Sequence, residues 1–339
     1  MTAAVVRALA RAARDAAHLP APQQNCRACG RDEAVLADRA DGAVVRHGEA
    51  VAKAHAPGTD PDGHRARLAV AAHPLLAGIL LPPLPPPPDH VRGIRGRPVT
   101  TWPYGAPVDP EEPDAAPWED AAVLIARLHS LPLAELPVPL PPMRGPAKAA
   151  RAHARMWAAA AHRPAAATAA ATAGAVDPAA VATVQRAWER LPAWARDEAP
   201  SPRDGTLCHG DLHLGQLVRH PAPGGPWLLI DVDDLGLGDP AWDLARPAAW
   251  YAAGLLAPDT WQRFLGAYRA AHGPAVPADG DPWPQLDIPA RALTVQTAAL
   301  ALAKSAAEHR DLDEVEQIMI DACARIAALP PELESRPPS

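Results

Sequence analysis

Between residues 207 and 245 the chain reads LCHGDLHLGQLVRHPAPGGPWLLIDVDDLGLGDPAWDLA, with carboxylates, histidines and a carboxamide set around short apolar runs. The run Thr206–Cys208 opens into His209-Gly210-Asp211-Leu212-His213-Leu214-Gly215-Gln216. A second run at 227–230 ends in Asp231-Val232-Asp233-Asp234, and residues 221–226 (PAPGGP) read as the turn that connects the two. Strand-like runs release their carboxylates at strand ends, where they can converge. Convergent carboxylates and an amide oxygen suit a hard cation such as Mg2+, typically held by one or two carboxylates plus substrate phosphates. A further carboxylate nearby can take the proton of an attacking hydroxyl. A base, a metal clamp and a cation for the phosphates are the parts phosphoryl transfer needs. The plainer reading of DVDD, taken alone, is an Asp-rich turn facing water.

These residues need elements to position them. Residues 2–18 read as a helix, with Val5, Val6, Leu9 and Ala13 on one side and Arg7, Arg11 and Arg14 on another. Strands are expected at 34–37, 43–46 and 50–55, separated by Asp41-Gly42 and His47-Gly48-Glu49 turns. Lys53 lies mid-run in AVAKAHAPG. A lysine in a strand bound for a core needs an anion; on an edge strand it would face water. Residues 62–72 (DGHRARLAVAA) read as a helix without a glutamate, and 82–88 (PPLPPPP) as an extended connector. Strands at 90–94 and 97–102 follow and stop at Trp102-Pro103-Tyr104-Gly105. After the polar, proline-rich 107–117, helices are expected at 117–131, 148–161, 178–196, 245–256, 258–272, 288–307 and 311–328. Residues 331–339 have the composition of a disordered tail.

The 339 residues suffice for two lobes and a sizeable core. A net charge of −7 argues against a protein held to nucleic acid by phosphate contacts, which needs a basic footprint. Alanine and proline are abundant and arginine has almost displaced lysine. That bias is typical of a high-GC bacterial genome, so a single Ala or Arg carries little information. Four cysteines are too few for a disulfide scaffold. Cys26-x-x-Cys29 is half of a four-ligand zinc site, whose other half would come from distant residues such as His47 or His55; the alternatives are a redox pair or plain thiols in a turn. The N-terminus lacks the continuous apolar core of a signal peptide, and no run of about 20 strongly apolar residues exists. The expectation is a cytoplasmic protein with no membrane partner.

The linked motifs resemble those of the aminoglycoside phosphotransferase family (APH/choline kinase-like), small-molecule kinases related in fold to protein kinases. The family's catalytic loop is His-Gly-Asp-x-His-x-x-Asn, here HGDLHLGQ; its metal strand ends Ile-Asp-x-Glu/Asp, here IDVD; a Gly-Asp-Pro-x-x-Asp-Leu-Ala box follows, here GDPAWDLA. The resemblance is strongest over 207–245 and extends more weakly from about residue 35. It implies an α+β, two-lobed, protein-kinase-like fold. A small antiparallel β-sheet lobe would span 1–104, including the N-terminal helix. A larger, mainly helical lobe would span 105–330, with the catalytic loop at 207–216 and the metal-binding strand end at 227–234.

Residue by residue, the resemblance implies Asp211 as the base and His209 as a brace of its loop. Gln216, where the family usually has Asn, and Asp231 would hold Mg2+. Lys53 would grip the nucleotide phosphates, and Thr101, Trp102 and Tyr104 would border the base. His213, Asp233 and Asp234 are candidates for the acceptor pocket, the two aspartates being equally open to facing water. Asp243 would anchor the catalytic loop. The helix at 62–72 departs from the pattern by offering Lys53 no glutamate, which leaves Asp231 as its nearest partner. The implied activity is phosphorylation of a hydroxyl on a small molecule, aminoglycoside-like or a sugar, from ATP or GTP. Two alternatives stay open: a kinase of peptide Ser/Thr in a peptide natural-product pathway, with a protein partner, and a catalytically silent nucleotide-binding scaffold. Asp311, Asp313, Glu314, Glu316 and Asp321 near the C-terminus would suit a polyamine if they lined the acceptor pocket, and otherwise form a solvated helix face.

Overall fold

A computed structural model describes residues 3–19, 26, 28–29, 34–39, 42–85, 93–137, 139–161 and 177–330. The elements run α1 (Ala3–Ala17), β1 (Ala34–Asp38), β2 (Ala43–His47), β3 (Ala50–Ala54), α2 (Pro61–Ala71), β4 (Val99–Pro103), β5 (Ala106–Pro107), α3 (Trp118–His129) and α4 (Gly145–Ala161). They continue with α5 (Pro178–Glu189), β6 (Thr206–Cys208), β7 (Leu217–Arg219), β8 (Trp227–Leu229), β9 (Gly236–Gly238), α6 (Ala241–Ala253), α7 (Pro258–Ala270), α8 (Trp283–Glu308) and α9 (Glu314–Ala327). The chain forms two compact units. One is Met1–Leu124, Leu131–Pro141 and Leu214–Asp233; the other is Ile125–Ser130, Pro142–His213 and Asp234–Ser339.

The first unit is built on the antiparallel sheet β1-β2-β3-β4. Residues of β2 and β3 alternate between buried and half-buried, the period-2 pattern of strands with one face against a core. Ala43, Val45, Ala52 and Ala54 form that core with Val5, Leu9, Ala10, Ala12 and Ala13 of α1. Small alanines on both surfaces let the helix lie close to the sheet. The same alternation turns Lys53 to the opposite face, away from α1. Helix α2 starts on a side-chain cap, Asp60 accepting from the N–H groups of Asp62 and Gly63, with Pro61 at its first position. A second sheet, β5-β7-β8, packs Leu81, Val218 and Leu228 together.

Some expected strands come out differently. Residues 221–226 do form a turn, but it joins β7 to β8, and β7 was not foreseen. β6 pairs instead with β9, in the second unit. The strand expected at 97–102 is β4, beginning at Val99; of the one expected at 90–94 only residues 93 and 94 are described, and Ile94 forms a single bridge to Arg97. Residues 86–92, the alanine-rich, low-complexity stretch at 164–176 and the expected tail at 331–339 lie outside the described residues, as does Asp41 of the first expected turn.

The second unit is mainly helical: α4, α6 and α9 pack on α8, and α5 on α9. Helix α6 begins at Ala241, inside GDPAWDLA, so Asp243 sits in its first turn, where the helix dipole favours a carboxylate. Helix α8 starts at Trp283, earlier than expected, because Pro284 occupies a first-turn position that needs no N–H donor. Helix α9 opens on a capping box of Asp313 and Glu316. No described helix is long and apolar enough to cross a membrane.

Candidate active site

In the second unit β6 delivers the chain to His209-Gly210-Asp211, and Asp243 holds this loop by its backbone. The His209 N–H donates to Oδ2 of Asp243 (2.6 Å) and the Gly210 N–H to Oδ1 (2.7 Å). His129 Nε2 reaches Oδ2 of the same carboxylate at 3.0 Å, and its Nδ1 lies 2.8 Å from the Tyr268 hydroxyl. That hydroxyl accepts the Ala275 N–H at 2.9 Å. With Nε2–H donating to Asp243 and the Tyr268 O–H donating to Nδ1, every member of this buried chain is satisfied. Burial chiefly, with the Asp243 charge adding to it, pushes the Tyr268 hydroxyl far above its ordinary range, so it stays a donor. Gly210 takes a φ of +82°, and a Cβ there would come within 2.4 Å of the Asp234 carbonyl oxygen. Both conditions require glycine at this place.

The loop so held presents Asp211 to two cations. Lys148 Nζ of α4 lies 2.6 Å from Oδ2, and Arg246 of α6 donates to Oδ1 at 2.8 Å. Burial works to raise the Asp211 carboxyl, but Lys148 and Arg246 outweigh it and hold it below the ordinary carboxylate range. Lys148 also bonds Asp234 Oδ2 at 2.8 Å, and Arg144 stands 3.6 Å from Oδ1. Burial lowers the Lys148 ammonium, yet Asp234 and Asp211 carry it above its usual value. His213 is 3.9 Å from Asp211 Oδ2 and is pushed down to about 4 by burial, against the pull of Asp211, so it is neutral at pH 7. Asp211 and Arg246 line a small concavity with Gly210, Leu212, Trp242, Leu293 and Gln296. The C-terminal acids contribute nothing to this lining. Asp313 caps α9, Glu316 pairs with Arg310 at 2.6 Å, and Asp321 accepts from Gln317.

In the first unit Lys53 reaches across from β3 to the end of β8. Its Nζ bonds Asp231 Oδ1 at 2.6 Å and Asp233 Oδ2 at 3.0 Å. Burial depresses the ammonium, but Asp231 first and Asp233 next raise it well above its ordinary range. Two carboxylates thus take the place of the glutamate that α2 lacks. His55, just past the end of β3, lies 2.9 Å from Asp233 Oδ1 by Nδ1 and 2.7 Å from the Thr100 hydroxyl by Nε2. The Trp102 indole N–H donates to that hydroxyl at 2.8 Å. Burial would raise the Asp233 carboxyl; the His55 bond and Lys53 overcome it and hold it far below the carboxylate range. His64 of α2 packs edge-on against His55, with ring centroids 4.4 Å apart.

Gln216 precedes β7 and Asp231 follows β8, and those strands pair with Leu217 opposite Leu229. The Ile230 N–H donates to the Gln216 carbonyl at 2.9 Å, which brings the two residues to one end of the sheet. Asp231 has a φ of +65°, a conformation costly for a non-glycine residue and common where function over-determines the backbone. One carboxylate and one carboxamide form an all-oxygen donor set, which fits Mg2+ and not a soft metal. In the middle of β4 the Thr101 carbonyl accepts the Leu84 N–H at 2.8 Å. Tyr104 gives its N–H to Glu49 and takes His220 Nδ1 at its carbonyl. Its ring lies under Arg46, 3.3 Å from centroid to guanidinium carbon.

The structure therefore gathers Lys53, Asp231 and Asp233 in one unit, and His209, Asp211, His213 and Asp234 in the other. Asp233 and Asp234 both answer a lysine. Lys148, Arg246 and His55 were not foreseen. A signal for Lys148 existed: the chain has three lysines among 32 Lys and Arg residues, so each one kept is informative.

The sequence model of the phosphotransferase enzyme family APH matches residues 38–283. No curated protein matches the chain. Among solved structures, a choline/ethanolamine kinase family protein from Mesorhizobium loti superposes with a TM-score of 0.53 at 15% identity, over 90% of each chain. Spectinomycin phosphotransferase APH(9)-Ia, in complex with ADP and spectinomycin, gives 0.56 at 13%, over 85% of this chain and 92% of that one. Aminoglycoside phosphotransferase APH(4)-Ia gives 0.55 at 17%, over 88% and 94%. At such identities the likeness establishes the fold, which is the kinase-like one. The family match, over well more than half of the sequence, goes further: the chain belongs to the APH phosphotransferase enzyme family.

Proposed function

We propose that the protein transfers the γ-phosphate of ATP, or of GTP, to a hydroxyl of a small, uncharged acceptor such as a sugar. The observation that carries this reading is Asp211, ionised between Lys148 and Arg246 on the wall of a concavity. Asp211 receives the acceptor's hydrogen bond and takes its proton. A carboxylate flanked by two cations is a weak base, which suits a loose transition state in which orientation matters more than basicity. Lys53 steadies the phosphates. Asp231 and Gln216 hold Mg2+, which supplies charge neutralisation on the phosphates when bound. Thr101, Trp102 and Tyr104 border the base, through groups other than the N–H and carbonyl of Tyr104. ATP and sugars meet in the cytoplasm, where we place the enzyme.

The concavity bears on the acceptor. Its lining is mixed, with Leu212, Trp242 and Leu293 beside the polar Asp211, Arg246 and Gln296, as small-molecule sites are. Asp211 is the one carboxylate among its lining residues, and it is already paired with two cations. Among the described lining residues a polycationic aminoglycoside would find no further acid. Solved neighbours include a choline/ethanolamine kinase family protein and APH(4)-Ia in a ternary complex with AMP-PNP and hygromycin B, so the fold serves small-molecule acceptors of differing chemistry.

A thermal-shift titration tests the nucleotide side. ATP with Mg2+ raises the melting temperature, and the rise is lost in Asp231→Ala. A sugar panel run beside aminoglycosides and hydroxyl-bearing peptides tests the acceptor. Asp211→Asn keeps the nucleotide shift and loses transfer by about 10²–10⁴-fold. Transfer within about tenfold of the parent would remove Asp211 from the role of base; a shift that persists in Asp231→Ala would remove Asp231 from metal binding.

A further inference from the structure

Away from the phosphotransfer residues, the first unit holds a second group of metal-ligating side chains. His18 follows the last residue of α1, and His47 ends β2 on the face that packs against α1. Cys26 and Cys29 come between them in sequence. One ligand atom from each of the four residues lies within 4.8 Å of all the others. Cys26 Sγ is 3.7 Å and Cys29 Sγ 3.5 Å from His47 Nε2, and Cys29 Sγ is 3.4 Å from His18 Nε2. The two imidazoles meet edge-on, ring centroids 5.7 Å apart and planes at 88°.

We propose that His18, Cys26, Cys29 and His47 form a structural zinc site that fastens the end of α1 to the sheet carrying Lys53. Tetrahedral zinc, with bonds of about 2.3 Å to sulfur and about 2.0–2.1 Å to nitrogen, sets a sulfur and a nitrogen ligand about 3.6 Å apart. The three distances fall about that value. Hydrogen bonding alone accounts for them poorly. His47 Nε2 has a single lone pair, yet it faces both sulfurs, and a thiol is a weak donor. Both cysteines are free thiols, not a disulfide. Two sulfurs and two imidazoles in a tetrahedral arrangement select zinc, as the oxygen pair Asp231 and Gln216 does not. Two thiolates and two neutral imidazoles also bring the charge of Zn2+ to zero, so the ion can sit at the edge of an apolar core without a counter-charge. His47 is buried while Cys29 is exposed, which leaves an entry path. β2 pairs with β3 along its whole length, with His47 opposite Ala50 and Val44 opposite Lys53, so the fastened strand is the neighbour of the one that bears Lys53.

The full-length protein, purified without chelator, is analysed for metals and then titrated. The expected result is about one zinc per chain, lost in Cys26→Ser and in His18→Gln and kept in Cys323→Ser, whose thiol is buried elsewhere. Chelator lowers the melting temperature and zinc, not Mg2+, restores it. Should the variants fail to fold, the parent protein decides alone. Stripped and given cobalt(II), it develops thiolate-to-metal charge-transfer absorption and tetrahedral ligand-field bands. The proposal falls if the parent binds less than about a tenth of an equivalent of zinc after reduction and shows no cobalt thiolate band. It falls equally if mass spectrometry finds Cys26 and Cys29 joined in a disulfide and the reduced pair takes up no zinc. None of these readouts depends on phosphotransfer, so the proposed activity and the zinc site stand or fail separately.

Discussion

Asp243 spends its carboxylate on two backbone N–H groups of the catalytic loop and on His129, with no side-chain exposure at all. Asp243→Ala strands those buried donors together, and removing one partner of a buried charged network costs about 3–5 kcal/mol. Urea denaturation measures the loss, and a cost under about 1 kcal/mol would mean the loop is held by other means. His64 gives a pH signature of opposite origin. Burial chiefly, and then the neighbouring His55, hold it down at about 4 against an ordinary 6.5, and its Nε2 has no hydrogen-bond partner among the described residues. Lys53 and Arg67 also face it and disfavour its charge, while Asp233 favours it. Folded protein therefore refuses a proton that the unfolded chain accepts. The stability this gives is present above pH 6.5 and is lost as pH falls from 6.5 toward 4, by about 1.4 kcal/mol per pH unit for each proton. His64→Leu flattens that limb by one proton's worth; part of the slope stays, because His213 shifts in the same window. An unchanged slope would show that His64 takes its proton as easily folded as unfolded. At this scale the motif residues were legible because their types and order are tied to one reaction. The partners of Asp211 were not: Lys148 and Arg246 sit on helices whose local pattern says nothing about the loop they meet.

The alternation of β2 and β3 and the one-sided apolar pattern of α1 were readable because burial imposes a period on each. Their packing follows directly, and it makes Leu9, fully buried against β2 and β3, a strong test of the α1–sheet contact. Leu9→Ala costs about 2–5 kcal/mol by lost transfer energy and cavity. Denaturation with a fluorescence or circular-dichroism readout checks it, and a value near zero would mean that α1 does not dock. Strands of three residues or fewer were harder. β7 and β9 are too short to show a period, and their partners, β8 with β5 and β6, are fixed by tertiary pairing. The residue before Pro82 and the residues after it are likewise settled by pairing: Leu81 donates to Leu229 and Leu84 to Thr101, contacts no local rule announces. Helix α8 starts at Trp283 and not at about residue 288, because Pro284 fits its first turn and Pro289 is carried within the helix.

Over the whole molecule, composition carried more than it first gave. A net charge of −7 with arginine in place of most lysine suggests a uniform background, yet two of the three lysines, Lys53 and Lys148, each bridge two aspartates, while Lys304 is exposed. The ionic grip on these two lysines has a chemical side. Carboxylates raise both ammonium groups above the ordinary lysine range, Lys53 the further, and an ammonium has no lone pair with which to attack. An acylating reagent at mildly alkaline pH will therefore modify Lys304 among the lysines and leave the other two untouched. Peptide mapping by mass spectrometry reads this directly. Acylation of Lys53 at the pace of Lys304 would contradict the pairing with Asp231 and Asp233. The same scarcity makes each protected amine a reporter with almost no background: in Asp231→Ala or Asp211→Asn, the lysine that lost a carboxylate becomes the nucleophile that betrays it.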